Sequence, residues 1–133
     1  MGAQLSVLHV IHDPAEAPGF YARKGKQKKF LQSMEEAAEE MMEDFLKQMR
    51  KAHPDQIPIQ NATPLLVVGT PVTRIIEIAD KKNAGMIILG SHGRTGLSHL
   101  LIGSKAERVV QLSPIPVTVV KASKKTEKLF ASI

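Results

Sequence analysis

Gly90-Ser-His-Gly93-Arg-Thr-Gly96-Leu-Ser-His-Leu-Leu-Ile-Gly103-Ser104 is the stretch from which the rest of the chain can be read. The apolar run Met86-Ile-Ile-Leu89 leads into it, and the amphipathic segment Lys105–Leu112 leads out. A short apolar run reads as a buried strand, so the local order is strand, glycine-rich loop, helix. Glycines let backbone N–H groups approach a ligand closely. A helix start adds unpaired N–H donors and the positive end of the macrodipole. Together these make an anion cradle. The loop is neither G-x-x-x-x-G-K-[ST] nor G-x-G-x-x-G, because its first two glycines are spaced G-x-x-G. On spacing alone, an ordinary strand-to-helix connection stays open as the other reading.

Outward from the loop, the same alternation repeats. Gln4–Ile11 and Pro64–Gly69 are aliphatic and β-branched and read as buried strands, as does Ile115–Val120 beyond the loop. Phe30–Ala52 is the longest predicted helix. Phe30, Met34, Ala37, Met41, Phe45 and Met49 recur at spacings of three and four. Acidic residues fill its first two-thirds and Lys47, Arg50 and Lys51 its end, which complements the macrodipole. Residues 14–29 are read as a mobile loop. Thr70-Pro71 opens a further helix, with Thr as N-cap and Pro at the first helical position. Its inner face is Val72, Ile75, Ile76 and Ala79, and Asn83–Gly85 closes it. Continuous apolar strands alternating with helices predict an α/β fold, a doubly wound and mainly parallel sheet of four visible strands with helices on both faces. In such sheets ligands bind beyond the carboxyl ends of the strands, and the loop from Gly90 begins at one.

Composition narrows the function classes. The chain has 133 residues, 43% of them apolar and 23% charged, as in a globular domain. No apolar run reaches the eighteen or so residues that span a bilayer, and no secretory signal is visible. With zero cysteines, disulfides and thiolate chemistry are excluded. A cytoplasmic location is expected. The net charge of +5 is concentrated in Arg23–Lys29 and in a tail with Lys121, Lys124, Lys125 and Lys128. Without interleaved aromatics these clusters read as solvated segments, so a basic nucleic-acid-associated protein is the least favoured class. Domain organisation is expected as one α/β domain over residues 1–121 and a tail over 122–133.

With the loop, the flanking strands and the order of elements assembled, the chain resembles the universal stress protein family. The resemblance rests on Leu8-His-Val-Ile11, Val67-Val-Gly69 with Pro71, and Met86-Ile-Ile-Leu-Gly-Ser-His-Gly-Arg-Thr-Gly96. It continues through Leu101-Ile-Gly-Ser-Lys-Ala-Glu-Arg-Val-Val110 and Pro114-Ile-Pro-Val-Thr-Val-Val120. The ATP-binding branch of that family carries G-x2-G-x9-G-[ST], which stands here as Gly90, Gly93, Gly103 and Ser104. The resemblance implies a Rossmann-like fold of the adenine nucleotide alpha hydrolase type and ATP, with or without Mg, as ligand. It implies that the backbone at Gly90, Gly93 and Gly103 and the Ser104 hydroxyl hold phosphates and ribose. By the same resemblance Val10 and Leu89 line the adenine, with His92, Arg94 and Lys105 beside the phosphates. It further implies a stress-response regulator that is not an enzyme, and a homodimer through Ile115–Val120 or the tail. A dimeric scaffold of the same fold that binds no nucleotide is the alternative.

The front of the chain departs from the family pattern. Members usually begin with a strand ending in an Asp-Gly-Ser-like turn, then a helix, before the strand that here is first. A sheet without that central strand is expected to carry two unpaired edges, and the nucleotide site is expected to lack one wall. The segment Lys128-Leu-Phe-Ala-Ser-Ile133 is strand-compatible and could pair with Leu5–Val10. The histidines, His9, His12, His53, His92 and His99, show no H-E-x-x-H spacing, so no metal site is expected. His9 reads as a packed strand residue. Nor is there a G-x-S-x-G elbow or an evident general base beside the loop, so any ATP hydrolysis is expected to be slow and incidental.

Overall fold

The computed structural model describes residues 2–12, 24–91 and 102–121. Its elements are β1 (Ser6–Ile11), α1 (Lys24–Ala52), α2 (Ile57–Gln60), β2 (Thr63–Val68), α3 (Pro71–Lys81), β3 (Ile87–Gly90), α4 (Ser104–Leu112) and β4 (Val117–Val120). The four expected strands form, and both pairings are parallel. Among the described residues β1 pairs with β2 and β3 pairs with β4. The chain divides into two compact units, Met1–Arg74 and Ile75–Ile133.

In the first unit β1 and β2 run in register from Ser6 opposite Thr63 to Ile11 opposite Val68. α1 packs on this pair. Its buried residues Met42 and Leu46 form a cluster with Ala62, against which Leu5, Val7 and Leu66 are packed. Val7 and Leu66 come from the side of the pleat that faces α1, as the period of two requires. The helix begins at Lys24 rather than Phe30, so Lys24–Lys29 belong to it and not to the loop expected over 14–29. Lys and Gln are good helix formers, and propagation from an established helix adds one hydrogen bond per residue. No acid stands in the first turn, which removed the usual start signal.

The return from α1 to β2 is made by α2, a four-residue helix not anticipated from the sequence. Gln60 Nε2 donates to Arg50 O at 2.8 Å and to His53 O at 3.0 Å, satisfying carbonyls at the end of α1. Arg50 Nη2 donates to Ala62 O at 3.1 Å, so the entry to β2 is tied to the same place.

β2 ends in a constrained turn. Gly69 has φ +147, and a Cβ there would lie 3.0 Å from Arg74 Cγ and Nε. Arg74 Nε donates to Val68 O at 2.9 Å, which holds that side chain over the turn. Gly69→Ala is therefore expected to cost about 1–3 kcal/mol. The check is the urea midpoint at unchanged slope; a midpoint equal to the parent's would mean that the turn relaxes without strain.

In the second unit Ile87 stands opposite Val117 and Gly90 opposite Val120. α4 packs beside β4 and contributes Val109, which is wholly buried, and Ala106. α3 closes as its sequence suggested. Asn83 is left-handed with φ 53, its N–H bonds to Asp80 O and that of Ala84 to Ala79 O. This is a Schellman ending. Ile76 and Ala79 then line a small gap of about 70 Å³ with Ile87 and Ile115. The last strand starts at Val117 rather than Ile115. Ser113 Oγ donates to Ile115 O and accepts from Ile115 N–H, making a local turn between Pro114 and Pro116.

Candidate functional site

The glycine-rich stretch is held by its two ends. Gly90 completes β3 opposite Val120, and Ser91 N–H extends the ladder to Val120 O at 2.9 Å. Ser91 O then accepts the N–H of Gly103 at 2.6 Å, which closes the loop at its neck. Ser91 is the one buried polar residue among the described residues, 5% exposed. Sequence reasoning passed over it. A small residue directly after the strand, between two glycines of the motif, was the signal available.

Beyond the neck, Gly103 is the N-cap of α4, extended at φ −61 and ψ 151, with no side-chain cap. The first helical bond runs from Glu107 N–H to Gly103 O at 3.0 Å. The N–H groups of Ser104, Lys105 and Ala106 therefore precede it and have no acceptor within the helix. Ser104 and Lys105 are exposed, so their polar groups are open to solvent at the positive end of the macrodipole. Glu107 lies in the same first turn and offsets part of that field. A phosphate fits such donors. The Gly103 N–H does not belong to the set, because it is engaged with Ser91.

The expected site residues fall as follows. Leu89 is half-buried on β3 opposite Val119, and Gly90 is exposed at the strand end. Gly103, Ser104 and Lys105 are contiguous at the start of α4, and the Ser91–Gly103 bond brings them to Gly90. Val10 is half-buried on β1 of the first unit, opposite Val67. His92, Gly93 and Arg94 lie outside the described residues, as does the segment 128–133 expected to pair with β1. Among the described residues no three His, Asp or Glu side chains gather as a metal site, and no helix is long and apolar enough to cross a membrane.

Comparison with known proteins places these features in a family. The model of the universal stress protein family matches residues 1–121. Universal stress protein MJ0531 of Methanocaldococcus jannaschii is 47% identical over 60 residues, covering 45% of this chain and 35% of that protein. Protein MJ0577 of the same organism is 46% identical over 57 residues, 43% of this chain and 35% of that one. The matched segments thus span about a third of these curated relatives. The solved structure of MJ0577 superposes with a TM-score of 0.59 at 28% identity, covering 91% of this chain and 77% of the other. Universal stress protein UspA of Lactobacillus plantarum superposes with a TM-score of 0.71 at 20% identity, over 90% and 78% of the two chains. That likeness is one of fold, the Rossmann-like α/β arrangement.

Proposed function

The chain belongs to the universal stress protein family, and from that membership we propose that it binds adenine nucleotide, ATP with or without Mg, at the loop between β3 and α4. The observation that carries this reading is the closed neck, in which Ser91 and Gly103 are bonded directly before a helix start with three N–H groups lacking a helical acceptor. It supports a cradle built before the ligand arrives, so little ordering entropy opposes binding at that end. Gly90, Gly93, Ser104 and Lys105 serve the phosphates, with His92 and Arg94 beside them, while Leu89 borders the adenine.

The protein acts as a cytoplasmic regulator in stress response rather than as an enzyme. Support for the non-enzymatic part is that the loop sequence carries no G-x-S-x-G nucleophile elbow. Self-association runs through Ile115–Val120 or the tail. Support for the first route is that among the described residues β4 pairs with β3 alone, and an open strand edge presents backbone groups that a second strand can join.

The test is mass spectrometry of nucleotide released from freshly purified protein, followed by titration of the emptied protein with ATP. ATP is expected in the released fraction, with binding below millimolar concentration. Absence of nucleotide and no binding at millimolar ATP would leave the scaffold reading in its place.

A further inference from the structure

The first unit carries an open groove of about 530 Å³ between α1 and β2, and every residue lining it belongs to that unit. Met42 and Leu46 from the helix and Leu66 from the strand form its apolar floor. Glu39 and Glu43, one turn apart, stand at one end and Arg50 at the other, beside the start of β2. Among the described residues none of these three charges has an ion pair. The Arg50 guanidinium donates from Nη2 to Ala62 O at 3.1 Å, while its Nε is buried without an acceptor. A half-buried cation so sparsely partnered favours a carboxylate.

Beside the floor runs a strand edge. Among the described residues β2 pairs with β1 alone. Thr63 N–H bonds to Leu5 O and Gly69 N–H to Ile11 O, so the odd-numbered residues of β2 turn their backbone groups to β1. By the period of two, Pro64, Leu66 and Val68 turn theirs outward. Pro64 has no N–H, and Val68 O accepts from Arg74 Nε. The N–H and C=O of Leu66 are thus the pair that an added strand can use.

We propose that an extended segment of another protein, of pattern basic-x-apolar-x-acidic, adds to the outer edge of β2 in antiparallel sense. Its apolar residue stands opposite Leu66 and exchanges N–H and C=O bonds with it, as in a hydrogen-bonded antiparallel pair. The side chain then lies on the same side as that of Leu66, over the apolar floor, and so do those two positions before and after it. The basic one meets Glu39 and Glu43, and the acidic one meets Arg50. From midway between Glu39 and Glu43 to Arg50, α1 rises about 13 Å. The four residue steps from basic to acidic position in an extended segment also cover about 13 Å. Backbone bonds to the edge supply affinity in such an addition, and alternate side chains supply specificity. No stretch of residues 1–133 carries this pattern with Lys or Arg at its start, which points to a different protein rather than a second copy.

The test is titration of the full chain with a fluorescein-labelled peptide, Thr-Lys-Thr-Val-Thr-Glu-Thr, read by anisotropy. Binding below millimolar concentration is expected. The reversed order, Thr-Glu-Thr-Val-Thr-Lys-Thr, has the same composition and is expected to bind about fivefold more weakly. Glu43→Lys is expected to weaken the first peptide by about the same factor and to prefer Thr-Glu-Thr-Val-Thr-Glu-Thr to it. Glu43 is exposed and outside the buried cluster, so its substitution leaves the fold intact. Amide hydrogen exchange separates edge pairing from charge attraction alone. At saturating peptide the Leu66 N–H is expected to exchange about tenfold more slowly. No binding at millimolar peptide, as when the chain itself or a second copy fills the groove, overturns the proposal. Equal affinity for the two orders, or unaltered exchange at Leu66, overturns it equally.

Discussion

Gly103→Val is expected to weaken ATP binding about a hundredfold, about 2.8 kcal/mol at 1.4 kcal/mol per decade. The backbone at this position, φ −61 and ψ 151, is open to any residue. The substitution therefore does not force the chain out of its conformation. It gives up only the better N-cap preference of glycine over valine, of order 1 kcal/mol. What changes is the approach to the helix start. A branched side chain stands between an incoming phosphate and the N–H groups of Ser104, Lys105 and Ala106, while the Ser91–Gly103 bond, a backbone contact, stays in place. Calorimetric titration of the nucleotide-free variant measures the loss, and a thermal melt separates it from unfolding. An affinity within twofold of the parent's would show that the phosphates sit elsewhere.

Leu46→Ala is expected to be the most damaging single truncation in the first unit, lowering stability by about 2–5 kcal/mol. Leu46 is 4% exposed and central to the cluster with Met42 and Ala62. Stabilities of whole domains are about 5–15 kcal/mol, so this is a large share. Leu46 also lines the groove beside α1. Part of the vacated space then opens to water instead of remaining a closed void, which favours the lower half of the range. Urea unfolding followed by far-ultraviolet circular dichroism reads the effect. A loss below 1 kcal/mol would mean that the cluster is not what holds α1 on the β1–β2 pair.

Much of the fold was legible because the signals were strong and local. The aliphatic runs at Leu5–Ile11 and Met86–Leu89 have few structures other than a buried strand open to them, and Thr70-Pro71 and Asn83 carry the cap chemistry of α3 directly. The start of α1 was not legible: Lys24–Lys29 favour helix by propensity and oppose it by charge, and no acidic residue marks the first turn. α2 escaped because its four residues, Ile57-Pro-Ile-Gln60, are too short to show a period. Strand pairing lay beyond reach for a different reason. Alternation within a strand says which side is apolar but not which neighbour it takes, so the pairings of β1 with β2 and of β3 with β4 emerged only in three dimensions. At the candidate site, the glycine spacing pointed to the loop and the helix start. The role of Ser91 is carried by its backbone carbonyl, which every residue type possesses, and composition is silent about such a group.

The Ser91–Gly103 bond also makes the loop an interchangeable part. With its two ends clamped to each other, its length is uncoupled from the aim of β3 and α4. Each doubling of a flexible loop costs only about 0.6 kcal/mol in closure entropy. Insertions and deletions between residues 92 and 101 are thus expected to leave the aim of β3 and α4 as it is.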